Sequence, residues 1–327
     1  MENQVNSDKH LFLMRHSLDL SIRDIQIAAS NSNGNIQLPS GFKKLDAFLH
    51  GFHKGNLIVV GGRVSMGKTA FALSVAKNIC TMKKPVLYFT LLESRSDLTI
   101  KMMANKLNVC INLLRNGQLT DDDWNKIDKN ITKLQEDFPL YIYDKAFLNI
   151  EEIKKVTLDA VKTKNCEMVI IDSLQMIENH NSHINNRYEE MTDTVIQLKN
   201  LAKAANVPVM VTSSINRATD ESTDDYYKYI PKIEQLRDSG AIEDKANVIL
   251  FIHRPEYYHI YSDKDGNDLR GLAQIFIAKN DMGPQNQFLL HFDGKYARFD
   301  NPDNMRKIEE EGEFLPSKLN DYIDSNP

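Results

Sequence analysis

Residues 62–69 read GRVSMGKT: a glycine, four further residues, then Gly67, Lys68 and Thr69. This spacing suits a loop that wraps phosphate. The glycines let backbone N–H groups turn inward around phosphate oxygens, and a helix starting at the end of the loop adds the positive end of its dipole. Lys68 then reaches the β and γ phosphates, and the Thr69 hydroxyl ligates magnesium. Gly62, Arg63, Val64, Ser65, Met66, Gly67, Lys68, Thr69 and Ala70 are therefore the expected contact segment for a nucleoside triphosphate. The flanks agree, because the apolar run Leu57–Val60 reads as a strand and a helix-patterned segment follows the loop.

About a hundred residues later, Met168-Val-Ile-Ile-Asp172 is an apolar strand that ends in an acid. In nucleotide-binding α/β sheets such an acid sits beside magnesium at the carboxyl edge. Hydrolysis also needs a carboxylate to orient the attacking water. Glu93, just past the run Val86–Leu91, stands in the right order along the chain for this task, and Asp97 competes with it.

Elements able to hold these groups are visible in the pattern. Short β-branched runs alternate with longer helix-patterned segments from Ile36 to about Phe299, which predicts an α/β fold with a mostly parallel central sheet covered by helices. The expected strands are Leu57–Gly61, Val86–Leu91, Met168–Asp172, Val207–Thr212, Val248–Ile252, Ala273–Ala278 and Gln287–Phe292, the last two forming a C-terminal β-hairpin around Gly283-Pro284. Thr120 and Asn149 each precede an acid by three residues and predict helix starts. Residues 1–35 read as an arm, with Leu11, Met14, Leu18, Ile22 and Ile25 giving a helix one apolar stripe. Residues 36–300 read as one core, and residues 301–327 as a charged, flexible tail.

Composition narrows the function classes. With 327 residues and 42% hydrophobic content the chain can bury a core without staples. Cys80, Cys110 and Cys166 match no disulfide framework or zinc spacing and read as reduced thiols. The early apolar run Leu11–Met14 stops at Arg15, too short for a secretory signal, and no segment approaches the ~20 apolar residues of a membrane span. A cytoplasmic protein with no membrane partner is expected. A net charge of −5 argues against a basic surface that wraps duplex DNA, yet leaves room for a local basic channel.

Beyond these readings, the segments LPSGFKKLDAFLHGFHKGNLIVVGGRVSMGKT, RNGQLTDDDW, VIIDSLQ, NRYEEM, NVPVM, LRDSGAIEDKANVILFIHR and ARFD occur in an order that resembles the C-terminal RecA-like motor domain of DnaB-family replicative helicases, over about four-fifths of the chain. The resemblance implies a P-loop NTPase core using ATP and Mg2+, acting on single-stranded DNA as a homohexamer, with a helicase loader or primase as partner. It makes Glu93 the water-positioning glutamate, with one extra residue in Phe89–Glu93 relative to the family pattern. It assigns Arg237, Asp238 and Gly240 to a loop that holds DNA phosphates, although Arg237 on its own reads as a surface ion-pair partner.

Three departures from the family pattern are expected to matter. Only residues 1–35 precede the core, so the family's amino-terminal collar has no counterpart in this chain, and the arm resembles the linker helix that docks on a neighbouring subunit. Ser214 stands where the family has a glutamine that senses the γ phosphate. Lys279 is retained in the hairpin as a candidate catalytic lysine, but Asp281 replaces the arginine finger, worth about 10³ to 10⁵ in rate. The leading expectation is an ATP-dependent helicase or translocase; the alternative is a turnover-deficient assembly factor or mixed-ring subunit.

Overall fold

The computed structural model describes residues 36–145, 147–179, 186–215, 229–236 and 239–302, together with residues 13, 14, 18, 21–23, 25 and 26. The expected tail, apart from residues 301 and 302, lies outside the described residues. In chain order the elements are α1 (Lys43–Leu49), β1 (Leu57–Gly62), α2 (Lys68–Thr81), β2 (Val86–Thr90), α3 (Arg95–Leu107), α4 (Ile111–Asn116), α5 (Asp121–Asp137), β3 (Leu140–Asp144) and β4 (Leu148–Asn149). There follow α6 (Ile150–Lys164), β5 (Met168–Asp172), β6 (Ile177–Glu178), α7 (Arg187–Ala205), β7 (Val209–Ser214), α8 (Ser239–Lys245), β8 (Val248–His253), β9 (Leu272–Asn280), β10 (Asn286–Asp293) and β11 (Arg298–Asp300).

Each expected apolar run is a strand, and nine strands form one sheet in the order β11-β10-β9-β8-β1-β7-β5-β2-β3. The six strands from β8 to β3 run parallel. β9, β10 and β11 continue the sheet antiparallel, so the expected hairpin is present. β7 begins two residues later than the apolar run suggests. Pro208 has no N–H to give, and pairing starts at Val209, whose N–H donates to Asn56 O. β3 was not expected: it is the sheet's edge strand, with Tyr141 38% exposed, and so lacks a continuous apolar signature.

The sheet separates two cores. On one face α2 buries Phe71 between Phe42, stacked at 5.3 Å, and Phe299, edge-on at 5.6 Å. On the other, α6 and α7 bury Ile153, Val195 and Leu198 against Val169 and Val211. Both expected helix starts are capped: Thr120 and Asp123 form a reciprocal capping box at α5, and Asn149 Oδ1 accepts from Glu152 N at the start of α6. Cys80 and Cys166 are buried thiols, pushed up by burial to about 12 and about 11. In the arm, Met14, Leu18, Ile22 and Ile25 are helical and between 47% and 74% exposed, so these four described side chains do not pack on the chain's own core.

Gly61 is where β1 can least accept a side chain. An added Cβ would lie 2.6 Å and 2.7 Å from ring atoms of the fully buried Phe251 on β8. Gly61→Ala is expected to lower stability by roughly 1–3 kcal/mol, measured as a shift in urea midpoint with unchanged slope.

Candidate nucleotide-binding site

Because β8, β1, β7, β5 and β2 run parallel, the segments that follow them emerge at one edge of the sheet. Such carboxyl edges are where open α/β sheets bind ligands. β1 leads into GRVSMGKT, β5 ends on Asp172, β2 leads to Glu93, β7 ends on Ser214, and β8 leads to Arg254.

Gly62 ends β1 and Lys68 opens α2, so the loop between them makes the strand-to-helix turn. Ser65 and Gly67 take positive φ, 64° and 91°, which turns the backbone around the loop's hollow. Met66 plugs the loop into the core at 1% exposure, while Val64 and Ser65 form its exposed crown. Lys68 Nζ donates to Gly62 O at 2.9 Å and Arg63 O at 3.0 Å. Burial lowers the pKa of this ammonium, and the charge of Asp172 opposes that shift. Thr69 is half-buried in the first turn of α2, whereas Ala70 is buried at 7%, leaving its backbone as the part of use to a ligand.

Asp172 is 3% exposed and held from both sides. Thr212 Oγ1 donates to Oδ1, and Tyr88 OH donates to Oδ2 at 3.1 Å. Burial, and next the charge of Asp172, raise the Tyr88 pKa well above its ordinary value, which keeps the phenol a donor. Glu93 also raises it, which puts that carboxylate within electrostatic reach of the same pair. Glu93 is ion-paired with Lys101 through Oε1, and its Oε2 is buried with no protein partner. Asp97 instead caps α3 with Ser94 and pairs with Arg115 at 3.4 Å, so it is committed to the helix end. A loop hollow, a buried ammonium, a half-buried hydroxyl and an unpartnered carboxylate oxygen along one edge fit a magnesium-bound triphosphate.

Besides Tyr88, two contributors were missed from sequence. Arg254 donates to Ser65 O at 3.2 Å and lies 4.0 Å over the Phe292 ring, clamping the loop's crown to β10. The available signal was a cation directly after an apolar strand. Gln175 follows β5; its Oε1 accepts from Ser214 N at 3.2 Å and its Nε2 donates to Ser213 Oγ at 2.8 Å. A carboxamide therefore reaches the end of β7, but from the neighbouring strand.

The remaining expected residues lie elsewhere. β9 runs antiparallel to β8 with Ile249 opposite Lys279 and His253 opposite Gln274, so Lys279 and Asp281 sit at the sheet edge away from the phosphate loop. Lys279 Nζ donates to Glu243 O at 2.7 Å, and Asp281 Oδ2 accepts from Asn247 Nδ2 at 2.9 Å. Gly240 lies in the first turn of α8 rather than in a loop, beside Tyr188, with Ala241 and Ile242 burying the apolar side of that helix. Arg237 and Asp238 lie outside the described residues.

Comparison with known proteins points one way. The family described as DnaB-like helicase C-terminal domain matches residues 37–301. The replicative DNA helicase DnaB of Buchnera aphidicola subsp. Baizongia pistaciae is 33% identical over 87% of this chain and 60% of its own length. That of Geobacillus stearothermophilus is 31% identical over 91% and 64%. The chain thus spans about three fifths of the curated relatives it matches. A solved DnaB-like replicative helicase, reported with its interactions with primase, superimposes with TM-score 0.76 at 26% identity over 90% of this chain and 68% of that one. A solved ATPase domain reaches TM-score 0.79 at 26% identity over 88% and 98%.

His253, at the end of β8, is 2% exposed and stacks on Tyr258 at 5.6 Å. Burial, and next the charge of Arg63, push its pKa down to about 4. The unfolded chain therefore takes up this proton first as pH falls below about 6.5, and stability declines until about pH 4. The expected loss across that window is about 3 kcal/mol. Urea titrations from pH 7 to pH 4 check it: His253→Phe, which keeps a ring on Tyr258, should show a correspondingly flatter decline than the wild type.

Proposed function

We propose, from the premise that this chain belongs to the family of DnaB-like helicase C-terminal domains, that it is an ATP-hydrolysing motor that translocates on single-stranded DNA and unwinds duplex during replication. It works as a ring of RecA-like subunits, a homohexamer, in the cytoplasm. A loader or primase is its partner class. The observation that carries the reading is the convergence of the phosphate loop, Asp172 and Glu93 on one sheet edge, with Glu93 Oε2 buried and unpartnered.

The roles follow from chemistry. Lys68 exchanges the carbonyls of Gly62 and Arg63 for β and γ phosphate oxygens, which relieves the burial of its charge. Magnesium, ligated by Thr69 and faced by Asp172, would supply charge neutralisation on those phosphates. Glu93 orients the attacking water and accepts its proton through Oε2, while Lys101 fixes the carboxylate through Oε1. Arg237, Asp238 and Gly240 hold the DNA backbone, and Gln175 relates the strand end at Ser214 to the nucleotide edge. The arm's exposed stripe docks on the next subunit, burying the side chains of Leu18 and Ile22.

Steady-state ATPase with and without single-stranded DNA tests this. Lys68→Ala should abolish turnover, and Glu93→Gln should reduce it by roughly 10²–10⁴ while nucleotide binding persists. Wild-type protein that hydrolyses no ATP at any magnesium concentration, with or without DNA, would overturn the motor reading.

Asp281 favours a second reading, a turnover-deficient assembly factor or a subunit of a mixed ring. Position 281 lies at the far sheet edge, from which it could serve only a neighbour's site, and it offers a carboxylate. Arg298 cannot substitute, being 9% exposed and bound to Asp300 and Asn108. Asp281→Arg is expected to raise ATPase at least tenfold if the finger alone is lacking. An active wild type that the substitution leaves unchanged would assign the task to Lys279.

A further inference from the structure

Beside the C-terminal half of α2 lies an open cavity, which the chemistry above does not use. Its volume is about 430 Å³, within the range of small-molecule sites, and its walls include Lys77, Asn78, Asn105, Lys106, Asn108 and Arg298. Three cations line it, and the carboxylate that answers them is Asp300, 3.8 Å from Lys77 and ion-paired with Arg298. These are not solvated surface charges: the Lys77 and Arg298 side chains are 13% and 10% exposed. Burial lowers the Lys77 ammonium to about 8, with Asp300 opposing the shift and repulsion from Arg298 and Lys106 adding to it, so the cluster is short of negative charge.

Asn105 ties this wall to the helix behind it. It is 1% exposed, and its Nδ2 donates to Ser74 Oγ at 3.0 Å and Ala297 O at 2.7 Å. The carbonyl of Ala297 accepts only a donor, which fixes the amide's orientation and leaves Oδ1 as a buried acceptor with no protein partner. The negative end of the helix dipole is blunted here, because the carbonyls of Ile79 and Cys80 accept from Met82, Lys83 and Lys84.

We propose that this cavity binds a small phosphate-bearing molecule of about nucleotide size, its anionic oxygens between Lys77 and Lys106. The site is wired to the phosphate loop. Ser74 Oγ, which accepts from Asn105 Nδ2 and from Phe299 N, donates to Ala70 O at 2.8 Å, one residue beyond Thr69. A ligand that shifts Asn105 acts on the first turn of α2, and by linkage the two sites change each other's affinity by the same factor.

The test does not depend on the motor reading. Inorganic pyrophosphate is titrated calorimetrically into the full chain carrying Lys68→Ala, which silences the phosphate loop. Saturable binding with one site is expected, weakened at least tenfold by adding Lys77→Gln. Lys106→Gln, at a half-exposed position, is a second variant in the same background should Lys77→Gln fail to fold, and the same weakening is expected of it. No binding in the Lys68→Ala protein, or binding untouched by a folded lysine variant, would overturn the proposal. A twelve-nucleotide oligothymidylate distinguishes the other source of phosphate: its displacement of bound pyrophosphate would give the cavity to a nucleic-acid backbone and overturn the small-molecule assignment, whereas failure to displace supports it.

Discussion

Two aromatic rings close on the turn at Gly67. A Cβ there would stand 3.1 Å from Phe292 and 3.2 Å from Phe299, and the residue's φ of 91° is one that side-chain-bearing residues rarely take. Phe299 also sits edge-on to Phe71 in α2, and Phe292 carries Arg254 across its face. The antiparallel strands at the end of the described chain are therefore part of the phosphate loop's support. They hold the loop from outside while β1 holds it from beneath, so its backbone is fixed by contacts within the protein itself. Preorganisation of this kind is what makes fixed dipoles effective in binding and catalysis.

What was legible in the sequence follows from how local each signal is. The phosphate loop, Asp172 and the starts of α5 and α6 are read from spacings of a few residues, because a turn, a strand end and a cap are each local events. The parallel strands were visible because burial on both faces leaves continuous apolar runs. The edge strand β3 was not, since half of it meets solvent. Tyr88, Arg254 and Gln175 were not legible either. Each acts on a partner from another strand or the loop after it: Tyr88 on Asp172, Arg254 on Ser65, Gln175 on Ser213 and Ser214. Only the strand order, β8 beside β1 and β5 between β7 and β2, brings them together.

The same topology places the candidate site residues at two opposite sheet edges. The groups proposed to bind and attack phosphate emerge where parallel strands end, whereas the turn between β9 and β10 returns to the edge where those strands begin. The length of β8, six residues at about 3.3 Å each, separates the two, so one chain cannot bring its own hairpin to its own phosphate loop. The ring proposed above would bring one subunit's hairpin to its neighbour's loop.

Asp281 is embedded in that distal edge rather than merely placed on it. Asn247 donates to it, and the same Asn247 side chain accepts from Leu57 N at the start of β1 and from Lys199 of α7. Lys279 lies 3.5 Å from Asp281, and the Lys199 pKa is lowered by burial and next by the charge of Lys203, with Asp281 opposing the shift and Lys279 adding to it. An arginine here would make a third cation beside two lysines, with Asn247 left to offer its N–H elsewhere. The carboxylate is thus what allows Lys199 and Lys279 to sit together. Of these three groups the sum is still one positive charge, so the corner stays cationic even though the most exposed of the three is an acid.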